Sequence, residues 1–337
     1  MIDLKDDNVS PISFVSRLVR FNSKTREIAI PQIASVLLLF VFGAVTIQSY
    51  GTKSSIISML IIASFLGLAA AGQTLVVLLG GIDLSIPFVI GVANVMMAQL
   101  NGDRWPIWAT FVAILVMAVC VGVVNGLASK LLSIHPLIVT LATGAILQGA
   151  LLVWTGGNPT GAAPDWLTRF VSLLSKTGPI PLPPIVSFWI FVVIILTVLL
   201  RKLSSARSIF AVGANGRAAD LTLVRSTSVW ISVFVMSAIM ASLAGIALTG
   251  FSSTGYLDIG QPYLFASIAS VVIGGTSLLG ARGNYWRTAL GALMFTEIQT
   301  VMIGFGLSQA AQQVVLGVLI VAIMTLAGRG EPVGKRI

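Results

Sequence analysis

Two acidic side chains, Asp83 and Glu297, stand inside otherwise apolar stretches of the sequence. An ionisable group inside a bilayer costs about 2.5–3.5 kcal/mol on the insertion scale, so such groups usually face a cavity or a partner. Asp83 follows Gly80-Gly81, which breaks a helix, and Glu297 lies past the middle of a predicted span. Both are candidates for lining a hydrophilic route. The structural alternatives are a helix cap for Asp83 and an interhelical hydrogen bond for Glu297.

Uncharged polar side chains are scattered through the other apolar stretches. Amides and hydroxyls are the groups that a site for a neutral, hydroxylated solute would need, although singly they also serve as packing hydrogen bonds between membrane helices. With the two acids, the candidates for the translocation pathway are Ser85, Asn94, Asn125, Gln148 and Gln299.

The sequence lacks the residues and motifs that several kinds of covalent catalysis need. Cys120 is the one cysteine and His135 the one histidine, so a histidine-based metal site or catalytic triad is hard to build. The sequence has no phosphate-binding loop, H-E-x-x-H helix or G-x-S-x-G turn. We therefore expect no cofactor in this chain and disfavour an intramembrane enzyme. ATP-driven transport would need another polypeptide to hydrolyse the ATP.

The segment 201–228 is the one long polar and basic stretch in the interior of the chain. Asn215 can cap a helix through its side-chain oxygen, and Gly216–Val224 has helical spacing of apolar residues. We call this segment the basic loop. It is predicted to be cytoplasmic, because basic loops next to membrane helices stay on that side. It is predicted to be a docking site for a cytosolic protein, the alternative being a solvated connector that only sets topology.

Composition places the chain among polytopic, all-α membrane proteins. Of its 337 residues, 56% are hydrophobic and only 9% charged, against about 25% charged in average soluble domains. The net charge of +9 does not indicate nucleic-acid binding, because all Lys and Arg except four fall in predicted cytoplasmic segments. The four exceptions are Lys53, Arg104, Arg169 and Lys176.

Ten spans with both termini in the cytoplasm agree with this charge asymmetry. The predicted spans are Pro31–Gln48, Ser54–Leu79, Phe88–Leu100, Pro106–Leu132, Pro136–Thr155, Ile185–Leu200, Val229–Phe251, Tyr263–Ile273, Tyr285–Gly304 and Gln309–Ala327. They form one transmembrane domain over residues 31–327, between a cytoplasmic segment (1–30) and a cytoplasmic tail (328–337). No cleavable signal peptide is evident. A helix around Trp166 is predicted to face the bilayer or a partner.

Residues 80–87 can lie at the membrane surface or form a break inside a discontinuous helix. Their sequence LGGIDLSI (79–86) looks like IGGTSLLG (273–280). Under the ten-span count the two stretches do not occupy matching helix positions, so the likeness carries little weight.

Four blocks of sequence resemble the membrane permease subunits of bacterial ATP-binding cassette (ABC) sugar importers of the ribose/xylose/arabinose type, which are similar to branched-chain amino acid permeases. These are GQTLVVLLGGIDLSI (72–86), HPLIVTLATGAILQGALLVWTGGNP (135–159), ARSIFAVGANGRAADLTLV (206–224) and SIASVVIGGTSLLGARGNYWRTALGALM (267–294). The resemblance covers nearly all of the chain after residue 50.

The resemblance implies a bacterial inner-membrane permease paired with a second copy or a paralogue, with ATPase subunits that carry ATP and magnesium, and with a periplasmic binding protein. It implies that 206–224 is the element that couples to the ATPase. The coupling candidates are Arg207, Gly213, Asn215, Arg217, Ala218, Ala219 and Asp220, among which Gly213, Asn215, Ala218 and Ala219 match the family's G-x-N-x-x-A-A pattern.

The chain also departs from the family pattern. Ala214 replaces a usual second glycine, Arg217 stands where an acid is common, and Leu223 lies near a usual glycine. These changes indicate a dedicated ATPase partner. Glu297 replaces an apolar residue, and Gln299-Thr300 stands near the family's Asn-Asn. These differences allow the solute to be a monosaccharide other than ribose, or a polyol. The alternative function is an ion-gradient-driven secondary transporter that uses Asp83 or Glu297.

Overall fold

The structure of the protein is a computed structural model that describes residues 30–132 and 134–328. The predicted cytoplasmic segment 1–30 and tail 328–337 lie almost wholly outside the described residues.

Within the described ranges the fold is helical, with two isolated β-bridges and no strand. The helices are α1 (Ile30–Thr46), α2 (Lys53–Leu78), α3 (Ile86–Gly102), α4 (Ile107–Leu131), α5 (Pro136–Thr155), α6 (Asp165–Val171), α7 (Pro184–Lys202), α8 (Ser204–Ala214), α9 (Gly216–Leu221), α10 (Ser226–Ser252), α11 (Tyr263–Ile273), α12 (Tyr285–Gly304) and α13 (Gln309–Gly328).

The sequence-based boundaries agree closely with these helices. Proline, glycine and charged residues mark the ends of the apolar runs, so α5, α11 and α12 begin and end at the predicted residues. Five of the described helices are long and apolar enough to cross a membrane, namely α2, α4, α5, α7 and α10. The count of ten spans and the cytoplasmic position of both termini stay predictions.

The helices α2 and α10 form the centre of the bundle. In each of them 67% of the most apolar window is buried, against 22–33% in α4, α5 and α7. The outer helices therefore present most of their apolar surface outwards, as lipid-facing helices do. Packing at the centre depends on small residues, because small side chains let helix backbones approach closely.

The contact between α4 and α10 shows this close approach. Gly122 and Gly126, which have the spacing of a helix-packing motif, lie against the backbone of Val235 and Ile231 in α10. A Cβ at Gly126 would lie 2.6 Å from the Cα of Ile231. The four-residue spacing of the two glycines places both on the side of α4 that faces α10.

The helix predicted around Trp166 is also present, as α6. Leu167 and Val171 are buried, and the Leu167 carbonyl lies against Gly250 of α10, whereas Trp166 stays 40% exposed. The apolar side of α6 therefore packs mainly on the bundle itself.

Replacing Gly122 with alanine should lower the stability of the bundle, because the new methyl group overlaps the backbone of Val235. Overpacking of this kind costs about 1–3 kcal/mol. It would be seen as a lower melting temperature of the detergent-solubilised protein, measured by size-exclusion chromatography after heating. Gly149→Ala is the matched control, since a Cβ there meets no atom within 4 Å. Equal melting temperatures for the two variants would contradict the packing described.

Candidate functional site

A break in the helical structure separates α2 from α3. The amide of Gly81 donates to the Val76 carbonyl (3.1 Å) and the amide of Gly80 to the Val77 carbonyl (2.9 Å). Together with φ of +83° at Gly80, these bonds form a Schellman cap, in which a left-handed residue reverses the chain. The extended segment 79–85 then runs back into the bundle before α3 begins.

Asp83 is the central hydrogen-bond acceptor of the segment 79–85, which we call the re-entrant segment. Its Oδ1 accepts hydrogen bonds from the amide and hydroxyl of Ser85 (2.9 and 2.6 Å), and its Oδ2 accepts one from the Ser237 hydroxyl of α10 (2.7 Å). Asn125 of α4 in turn donates to the Ser85 hydroxyl (2.9 Å). The Leu84 amide donates to the Thr140 hydroxyl of α5 (2.9 Å). One carboxylate therefore joins the re-entrant segment to α10 directly and to α4 through Ser85.

The network lies deep in the protein. Asp83, Ser85 and Asn125 are each at most 2% exposed. Ser237 is near the middle of α10, a helix of 27 residues that at about 1.5 Å per residue is about 40 Å long. Non-helical backbone is tolerated at such a depth because protein surrounds it. The position of residues 80–87 relative to the membrane stays a prediction.

The remaining pathway candidates lie elsewhere in the bundle. Asn94 donates to Thr249 of α10 (3.0 Å) and accepts from the Tyr256 amide (2.8 Å), while Gln148 donates to Asp258 (3.3 Å). Glu297 is 4% exposed, and its Oε2 has no hydrogen-bond partner among the described residues. Gln299 is half-buried on the same helix. The structure thus brings Asp83, Ser85 and Asn125 together and leaves the other four apart. The pathway role of all seven residues stays a prediction.

Sequence reasoning missed two hydroxyls of the Asp83 network, Ser237 and Thr140. Both lie in apolar helices that contain several serines and threonines, and no spacing distinguishes these two from the rest. Only the fold of the re-entrant segment shows which hydroxyls it needs.

The basic loop folds into two short helices instead of the one that was predicted. Residues 204–214 form α8, and Asn215 then caps α9 by accepting a hydrogen bond from the Ala218 amide (3.0 Å), as predicted. The predicted helix Gly216–Val224 is shorter than expected, because α9 ends at Leu221 and Leu223 has φ of +63°.

The coupling candidates divide into exposed and internal residues. Ala219 is 4% exposed and Gly213 faces the bundle, in contact with the Leu78 carbonyl of α2. The residues open to a partner are Arg207, Asn215, Arg217, Ala218 and Asp220.

Two large apolar side chains lie exposed at the tip of the basic loop. Leu221 is 86% exposed and Leu223 is 94% exposed. Leu221 is the last residue of α9, and Ala218 one turn before it is exposed as well. Exposed apolar residues rimmed by charged ones mark an interaction surface.

A cleft of about 520 Å³ opens beside this tip. Lys130 and Asp220 form an ion pair across it (3.4 Å) that joins α4 to α9. A hydrogen bond with the Ser226 side chain, together with the charge of Lys130, holds the pKa of the Asp220 carboxyl below its usual value. Residues that line the cleft include Ser129, Lys130, His135, Asn215, Arg217 and Asp220. This charged, open surface suits a protein partner.

Comparison with known families identifies the kind of molecule that carries these features. The family model described as "Branched-chain amino acid transport system / permease component" matches residues 55–324, which include both the re-entrant segment and the basic loop. The chain belongs to this permease family. The resemblance inferred from the four sequence blocks is therefore confirmed.

Relatives of this permease match it over most of both chains. It is 31% identical over 293 residues to the ribose import permease protein RbsC of Bacillus subtilis (86% of this chain, 90% of the relative). It is 28% identical over 317 residues to the autoinducer 2 import system permease protein LsrC of Escherichia coli O157:H7 (93% of this chain, 90% of the relative). No solved structure matches the chain.

Removing the Ser237 hydroxyl from the permease should destabilise it, because the buried Asp83 Oδ2 then loses the partner described above. An unsatisfied buried polar group costs about 1–3 kcal/mol, which melting of the Ser237→Ala variant in nanodiscs would measure. Ser232→Ala is the control on the same helix, since its exposed hydroxyl bonds only to the Val229 carbonyl. An unchanged melting temperature for Ser237→Ala would argue against the Asp83 network.

Proposed function

We propose that this permease is the membrane-spanning subunit of an ATP-driven ABC importer in the bacterial inner membrane. ATPase subunits dock on the basic loop, and a periplasmic binding protein delivers solute to the opposite face. A second permease subunit, identical or a paralogue, completes the translocation unit. The chain itself performs no covalent chemistry, and ATP with its magnesium is bound by the ATPase.

The observation that carries this proposal is the exposed tip of the basic loop. Leu221 and Leu223 project from a short capped helix beside a charged cleft. Exposed apolar residues rimmed by polar ones are typical of protein interaction sites. A connector that only sets topology has no use for two almost fully exposed leucines.

The solute is a monosaccharide or a related polyol. Two named relatives import ribose and autoinducer 2, and the buried polar side chains of this bundle are mostly hydroxyls and amides. Such groups bind neutral hydroxylated molecules and offer little to a highly charged solute.

Co-purification from the native host in mild detergent, followed by mass spectrometry, should recover an ATPase subunit and a periplasmic binding protein. The binding protein is then screened against pentoses, hexoses and polyols, and uptake of its ligand is measured in proteoliposomes. We expect uptake to stop when ATP is omitted and to continue when an ionophore is added. Uptake that survives without ATP and collapses with the ionophore would instead establish an ion-driven transporter.

If the ATPase docks on the basic loop, Ala218→Arg should reduce import while the chain still folds and inserts. Ala218 is exposed, so a large side chain there would project into the bound partner without disturbing the bundle. ATPase co-purification and uptake should both fall by about tenfold, the equivalent of about 1.4 kcal/mol.

Ala218→Ser is the conservative control for this variant and should behave as wild type. Ala219→Arg does not test docking, because Ala219 is buried and a charge there disrupts the loop itself. Full uptake by Ala218→Arg would place the ATPase elsewhere.

A further inference from the structure

The backbones of α8 and α2 come into close contact where the two helices end. Gly213 lies so close to the Leu78 carbonyl that a Cβ at this position would overlap the oxygen. The same carbonyl accepts a hydrogen bond from the Ala281 amide (2.9 Å). The end of α8, the end of α2 and the segment before α12 are distant in sequence. They meet at this one carbonyl group.

Gly280 completes this contact from the third segment. It has φ of +85°, and a Cβ there would lie 2.9 Å from the Gly213 carbonyl oxygen and 3.0 Å from the Gly80 amide nitrogen. We call the group formed by Leu78, Gly80, Gly213, Gly280 and Ala281 the glycine junction.

The closest contacts within the glycine junction join backbone atoms, so no side-chain rotamer at these contacts can absorb a displacement. Long side chains change rotamer when a neighbour moves, whereas packed backbone segments do not deform continuously. A shift of α8 is therefore passed directly to the end of α2. The residue after Leu78 begins the re-entrant segment, so the junction joins the docking surface to the buried Asp83 network.

We propose that the glycine junction transmits movement of the basic loop to the re-entrant segment, and that Gly213 acts inside this chain as a positioning residue and not as a contact with the ATPase. The proposal rests on the proposed function. It separates two neighbours in the coupling pattern, because exposed Ala218 receives the ATPase and half-buried Gly213 passes the movement on.

The test compares Gly213→Ala and Gly280→Ala in the reconstituted importer, since each variant adds a methyl group to the junction from a different segment. We expect ATPase co-purification to stay within about twofold of wild type, while the amount of solute imported per ATP hydrolysed falls by about tenfold, a typical coupling effect. Because both variants disturb one contact, the double variant should lose little more than either single one.

Two matched controls separate transmission from general damage. Gly149→Ala places a methyl group on a helix with no atom within 4 Å, and Gly306→Ala places one at a φ of +73° with equally open surroundings. Both should import as wild type does. Wild-type solute-to-ATP ratios in Gly213→Ala and Gly280→Ala would overturn the proposal.

Hydrogen exchange gives a readout that does not depend on the folding of any variant. When ATPase and nucleotide are added to the wild-type permease in nanodiscs, exchange of the amides in 79–85 should change together with exchange in α8. A response in α8 without one in 79–85 would overturn the proposal. A wild-type complex that shows no ATP-dependent import at all would instead overturn the proposed function.

Discussion

Backbone groups that leave a helix inside an apolar bundle must find new hydrogen-bond partners, and this demand organises the structure around 79–85. An unsatisfied group in hydrocarbon costs several kcal/mol. Asp83 in the break therefore accepts a hydrogen bond from the Ser85 amide, and the Thr140 hydroxyl accepts one from the Leu84 amide. A buried carboxylate is itself costly, and the hydroxyls of Ser85 and Ser237 offset that cost.

Close packing surrounds the same segment. The segment 79–85 is hydrogen-bonded to α5 and α10 and, through Ser85, to α4, and small residues lie where neighbouring helices approach one another. Gly122 and Gly126 let α4 lie against α10, and Gly72 of α2 does the same opposite Ser237. The central helices α2 and α10 are thus held by small residues near the break and by its polar network.

Much of this architecture could be predicted from the sequence, because apolar runs and their punctuation are local signals. The ends of α5, α11 and α12 follow from proline, glycine and charged residues alone. The segments 79–86 and 273–280 follow helices that end in the same kind of cap, since the Thr276 amide donates to the Val271 carbonyl as the Gly81 amide does to the Val76 carbonyl. The two caps are offset by one residue from the sequence likeness, because the left-handed glycines are Gly80 and Gly275. Their helix positions in a span count were a poor guide to their local structure.

Contacts between segments distant in sequence could not be predicted in this way. Nothing near Ser237 marks it as the partner of Asp83, and a helical pattern does not specify which side of α9 faces away from the bundle.

The same limit explains why the family pattern G-x-N-x-x-A-A looked like a single coupling surface. Its spacing describes one short stretch of chain, but the stretch turns at Asn215. Gly213 before the turn therefore faces α2, whereas Ala218 after it faces outwards. A segment that both binds a partner and contacts the helix bundle needs two such faces. The turn at Asn215, which caps α9, separates them.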